Sequence, residues 1–115
     1  MPTIQRFETG PRMSQAVVHG DTIYLAGQIN KDMADVTGQT AAVLKQIDGL
    51  LARTGSAKEK ILSATIYLAD IKSFADMNKA WDVWVPSGNG PARATVEAKL
   101  AAPEYLVEIV VVAGK

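Results

Sequence analysis

The sequence predicts an α+β fold, a single sheet with two helices on one face, and three features of its 115 residues carry that prediction. Strand-like runs gather at the two ends of the chain. Two stretches place apolar residues at three-and-four spacing, the mark of amphipathic helices, and one further strand falls between them. The strands are also apolar on both faces, so two helices cover only one of them. No repeat or low-complexity segment interrupts the order, and one domain over 1–115 is expected.

Residues 3–8 read as a first short strand, followed by a GPRM loop at 10–13. SQAVVH and TIYLAG flank a tight His19-Gly20-Asp21 turn, a hairpin signal. Gly27, at the end of the second hairpin strand, suits a bulge or a close approach to the backbone. Between Gly38 and Gly55, Val43, Leu44, Ile47, Leu50 and Leu51 form a helical stripe that Gly55 ends. In the strand ILSATIYLA, Leu62, Ala64, Ile66 and Leu68 share one face, and Ser63, Thr65 and Tyr67 the other. A second helix starts near Ser73, which with Asp76 resembles a weak capping box, and buries Phe74, Met77, Trp81 and Trp84. Pro86, Gly88, Gly90 and Pro91 make a stiff turn, and strands at about 93–98 and 105–113 finish the chain. A sheet as apolar as LVEIVVV needs cover on its open face, which other subunits would supply: a homo-oligomer is expected.

Composition narrows the chemistry. Basic and acidic residues balance at 12 each, with no Lys/Arg run, so nucleic acid and polybasic membrane binding are disfavoured. There is no cysteine and one histidine, His19, so thiol nucleophiles and multi-histidine zinc sites are outside the inventory and no metal is expected. The opening MPTIQRFETG has no basic-then-apolar signal pattern, and no apolar run is long enough to span a bilayer; the expected location is cytoplasmic.

Two charged residues stand out against this background. Glu108 shares a strand face with Leu106, Val110 and Val112, where a lone carboxylate is costly unless paired or solvated. Arg93 follows a Gly-Pro turn in GPARATV, a stretch poor in acidic partners, and its planar fork suits a ligand carboxylate. Each has a plainer reading: Glu108 reaching solvent or a lysine, and Arg93 making a surface salt bridge of about 0–1 kcal/mol. Asn78, Gln28 and His19 carry weaker signals, and Gly88-Asn89-Gly90 lacks the strand and helix that a phosphate loop needs. Trp81 and Trp84 read as core or interface anchors.

The segments MSQAV, IYLAGQI, ATIYLADIKSFADMNKAWDVW, PARATVEA and LVEIVVVA, in this order and spacing, resemble the Rid family (RidA/YjgF) and lie closest to its YoaB-type branch. The resemblance implies a chorismate-mutase-like protomer with a mixed sheet, assembled as a homotrimer whose sheets form a central barrel with clefts between subunits. It implies hydrolytic deamination of 2-enamino and 2-imino acids, such as 2-aminoacrylate and 2-iminopropionate, to a 2-oxo acid and ammonia, without cofactor or metal. Arg93 would bind the substrate carboxylate and Glu108 would position and activate water. Ala94 and Thr95 would present backbone groups to substrate or water, and Gly27, Gln28 and Asn78 would line the pocket. Two positions depart from the family: Met13 stands where a tyrosine is usual, and Ala26 where a serine is. The alternatives are a trimeric metabolite-binding or regulatory protein that keeps the arginine anchor without efficient chemistry, and an RNA-cleaving activity, which neutral charge and a lone turn histidine fit poorly.

Overall fold

A computed structural model describes residues 3–115 of the chain; Met1 and Pro2, which entered the reading of the N-terminal segment, lie outside the described residues. The strands are β1 (Ile4–Thr9), β2 (Ser14–His19), β3 (Thr22–Leu25), β4 (Ile61–Leu68), β5 (Ala92–Glu97) and β6 (Val107–Gly114), and the helices α1 (Val36–Arg53) and α2 (Phe74–Trp84). They build one six-stranded mixed sheet in the order β1-β2-β3-β6-β4-β5. Every pair is antiparallel except β4 with β5, which run parallel because α2 carries the chain back between them.

Local chemistry accounts for the element ends. His19 pairs with Thr22, so the hairpin loop is Gly20-Asp21, with Gly20 at φ +63°, a conformation glycine adopts freely. Asp35 caps α1 by accepting from Gly38 N at 2.7 Å, so the helix begins two residues before its predicted start. At its other end Gly55 sits at φ +85°, Ser56 N donates to Leu51 O and Gly55 N to Ala52 O, the Schellman pattern. The predicted Ser73 cap does not form: Ser73 Oγ donates to Asp70 O, and the Asp76 carboxylate pairs with Lys79.

The core lies between the helices and one sheet face. Val107, Ile109, Val111 and Ala113 of β6 and Ala64, Ile66 and Leu68 of β4 meet Val43, Leu44, Ile47, Leu50 and Leu51 of α1 and Met77 and Trp81 of α2. Leu62 departs from its predicted face. A register shift between Ile61 and Ser63 turns Ile61 inward and leaves Leu62 57% exposed, because a bulge resets the two-residue alternation. On the other sheet face, Val17 and Tyr24 pair across β2 and β3, Tyr24 with Val112, and Thr65 with Val110. Tyr24 is 49% exposed, and among the described residues no helix lies over that face.

Candidate functional site

Arg93 lies on β5 opposite Ala64, whose side chain is in the core, so Arg93 projects toward the helix layer. There α2 receives it. Arg93 Nη1 donates to Asn78 Oδ1 at 2.7 Å, and the guanidinium lies 5.1 Å from the Trp81 ring centroid and 5.7 Å from that of Phe74. The spacing of Phe74, Asn78 and Trp81 puts all three on neighbouring turns of one helix flank. Phe74, predicted to be buried, is 43% exposed and serves as the outer wall of this clamp.

No carboxylate pairs with Arg93 among the described residues. A guanidinium has five N–H donors, and Asn78 is the side chain that takes one of them. Two residues along the same strand face, Thr95 Oγ1 is buried without a hydrogen-bond partner, the one such side-chain atom among the described residues. An orphaned hydroxyl and an unpaired guanidinium on one strand face can together donate hydrogen bonds to an anionic group. Ala94, between them, faces the opposite side of the strand.

Glu108 belongs to the other face. It pairs with Tyr67 across β4 and β6, out of step with the core residues Ile66 and Ile109. Its carboxyl group packs directly on Gly27: a Cβ built there would stand 2.9 Å from Glu108 Cδ and overlap the carboxylate itself. Gly27 is thus the close-approach glycine that its place at a strand end predicts. The next residue holds the segment down, since Gln28 N donates to Ile109 O at 2.9 Å and Ile109 N to Gln28 O at 3.1 Å.

The Gln28 side chain is spoken for. It is 6% exposed and bonds Gln15, Ala26 and Gln46, so only its structural role is visible within the chain. Met13, 49% exposed, lines a cleft of about 520 Å³ with Gln15, Gly27, Gln28 and Gln46. Ala26, which donates its N–H to Gln15 O, stands next to that cleft. The predicted residues therefore fall into two groups: Arg93, Asn78 and Thr95 under α2, and Glu108, Gly27, Ala26 and Met13 at the end of β3. Arg93 and Glu108 do not meet within a protomer, because they project from opposite faces of the sheet.

The clamp made by Phe74 and Trp81 was not read from the sequence as part of the site, although aromatic residues flanking an asparagine at helical spacing are its signal. Gln15 and Gln46 were also unforeseen. Among the described residues no cluster of His, Cys, Asp or Glu could hold a metal ion, and no helix is long and apolar enough to cross a membrane.

Fold and residue pattern define a small α+β protein with an arginine that no carboxylate pairs among the described residues on one sheet face and a glutamate packed on a glycine on the other. The family model described as Endoribonuclease L-PSP matches residues 3–115, and the chain belongs to that family, the Rid/YjgF group. It is 50% identical over 112 residues to the RutC family protein YoaB of Escherichia coli K12, covering 97% of this chain and 98% of that protein. A RutC family protein of Haemophilus influenzae is 48% identical over 113 residues, covering 96% and 97%. The crystal structure of a YjgF family member from Neisseria meningitidis superposes with a TM-score of 0.97 at 48% identity, over 98% of this chain and 95% of that one.

Proposed function

We propose that the protein is a hydrolytic deaminase of reactive 2-enamino and 2-imino acids, acting in the cytoplasm as a homotrimer without cofactor or metal. Its site is composite, with the Arg93 group of one subunit facing the Glu108 group of the next. The observation that carries this reading is the unpaired Arg93 fork, held by Asn78, Phe74 and Trp81 with the orphaned Thr95 hydroxyl at its side. Such a fork grips a carboxylate through parallel bonds and fixes the carbon beside it. The opposite placement of Glu108 supports assembly across subunits, as does the exposed apolar face bearing Tyr24 and Val96.

In this site the enamine tautomerises to the imine, and water adds its oxygen to the imine carbon. Glu108 takes a proton from that water and returns it to the nitrogen. The carbinolamine so formed passes its hydroxyl proton by way of Glu108 to the nitrogen as the C–N bond breaks, so that ammonia leaves and the 2-oxo acid remains. Proton transfer by a positioned carboxylate contributes about 10²–10⁴-fold, and holding the carboxylate still removes much of the entropic barrier. Met13 and Ala26 give the cleft apolar walls where hydroxyls are usual in the family, which favours imino acids with larger apolar side chains.

The same two residues motivate a second reading, a trimeric binding protein that holds 2-oxo or imino acids through Arg93 without turning them over. Ribonuclease activity, which the family description names, finds less support here: the charge is even, and His19 sits on an exposed hairpin end.

The test generates imino acids in situ with an amino acid oxidase and follows their loss, using Arg93→Ala and Glu108→Gln chains separately and co-assembled. Each alone is expected to be inactive. Random mixing in a cyclic trimer restores about a quarter of wild-type activity, since about three-quarters of the trimers are mixed and each of these regains one of its three sites. No recovery on mixing would refute the composite site. A monomer by light scattering would do the same. Wild-type protein that binds 2-oxo acids yet accelerates no imine would favour the binding-protein reading.

A further inference from the structure

We propose that Asn30, Gln46, Gln28 and Gln15 form a carboxamide ladder that positions Gly27 against Glu108, with Gln46 of α1 as the positioning residue that controls it. The inference rests on the reading of Glu108 as the water-handling group. Asn30 Nδ2 donates to Gln46 Oε1 at 2.8 Å, Gln46 Nε2 to Gln28 Oε1 at 3.1 Å, and Gln28 Nε2 to Gln15 Oε1 at 2.9 Å. Every rung points the same way, so each bond polarises the next. The ladder spans from α1 to β2.

The plain alternative is that buried amides merely satisfy one another. Two further bonds argue for more. Gln28 Nε2 also donates to Ala26 O at 3.1 Å, and Gln46 Nε2 to Ile29 O at 3.2 Å, so the ladder grips carbonyls on both sides of Gly27-Gln28. That grip replaces something missing: β3 ends at Leu25, and beyond it a single Gln28–Ile109 bridge ties the segment to β6. Glu108 neighbours that bridge in sequence and rests on Gly27 in space. Helix α1 therefore sets, through side chains alone, where the backbone stops the Glu108 carboxylate.

Gln46→Met keeps length and removes both donor bonds and the acceptor for Asn30. In that variant turnover per folded molecule is expected to fall about tenfold with KM little changed, because the Arg93 group is untouched. Hydrogen exchange at the Gln28 and Ile109 amides is expected to speed up by about tenfold or more. Adding Gln15→Met should cost less than the product of the single effects, since both break one unit. Asn30→Ala, at the half-exposed end, gives a milder version should Gln46→Met fail to fold. Exchange rates equal to wild type would overturn the ladder, and so would faster exchange with kcat intact. Wild-type protein without turnover would defeat the deaminase reading instead, and exchange alone would then judge the ladder.

Discussion

The two groups of site residues are held in opposite ways. Arg93 is gripped by side chains: two aromatic rings beside the guanidinium and one amide bonded to Nη1, all from α2. Glu108 is held by backbone, its carboxyl lying on a glycine whose neighbour bridges to β6. The difference matches the roles proposed for the two groups. A cation that must keep its fork open for a carboxylate needs partners that occupy its faces without neutralising it, and rings with a single amide supply that. A carboxyl group that must pass protons needs a fixed place but few competing donors, and bare glycine backbone leaves it its lone pairs.

The sharpest way to break this contrast is Arg93→Ala. Two charge-assisted bonds of about 1.5–3 kcal/mol each are removed, so 2-oxo acid affinity by calorimetry should drop by roughly 10²–10⁴-fold, and turnover should vanish. Arg93→Lys should not restore it, because a point charge lacks the fork. Unchanged affinity in the alanine variant would dissolve the distinction between a binding half and a chemical half. Glu108→Gln comes next: turnover should fall about 10²–10⁴-fold while 2-oxo acid affinity holds.

Gly27→Ala should cost turnover about tenfold through the displaced Glu108 carboxyl. The methyl meets only the Glu108 side chain, from Cγ outward, which can rotate aside, so stability by thermal melting should change by less than about 1 kcal/mol. A large stability loss would show that Gly27 supports the fold rather than the carboxylate. The smallest effect belongs to Asn78→Ala, where one hydrogen bond of about 1 kcal/mol is lost and KM should rise several-fold with kcat retained. An unaltered KM would leave the aromatic rings as the whole of the clamp.

Much of the fold was legible because periodicity survives translation into packing. The α1 stripe from Val43 to Leu51 is buried as spaced, and the alternation in β6 places Glu108 with Val110 and Val112. Leu62 was misplaced because a bulge leaves no mark in alternation, and Ser73 because its hydroxyl found a carbonyl three residues back. Arg93 and Glu108 were visible as charges among apolar residues. Their opposite faces were not, since faces compare only after strand pairing is known, and β4 lies between the two strands. Gln39 illustrates a signal passed over: it sits one turn before Val43, on the apolar stripe, and is 1% exposed with bonds to Met33 O, Glu104 O and Leu106 N. A polar residue on such a stripe announces loops that must be tied down.

The parallel β4–β5 pair also bears on the order of folding. Arg93 and its whole clamp lie within one continuous stretch, β4-α2-β5, whose contacts close short loops. Glu108 cannot reach Gly27 until the last strand enters between β3 and β4. Contacts so distant in sequence are slow to form. The Arg93 unit is therefore expected to assemble early, with high φ-values in α2, and the Glu108 unit to appear only as the chain's final strand completes the sheet.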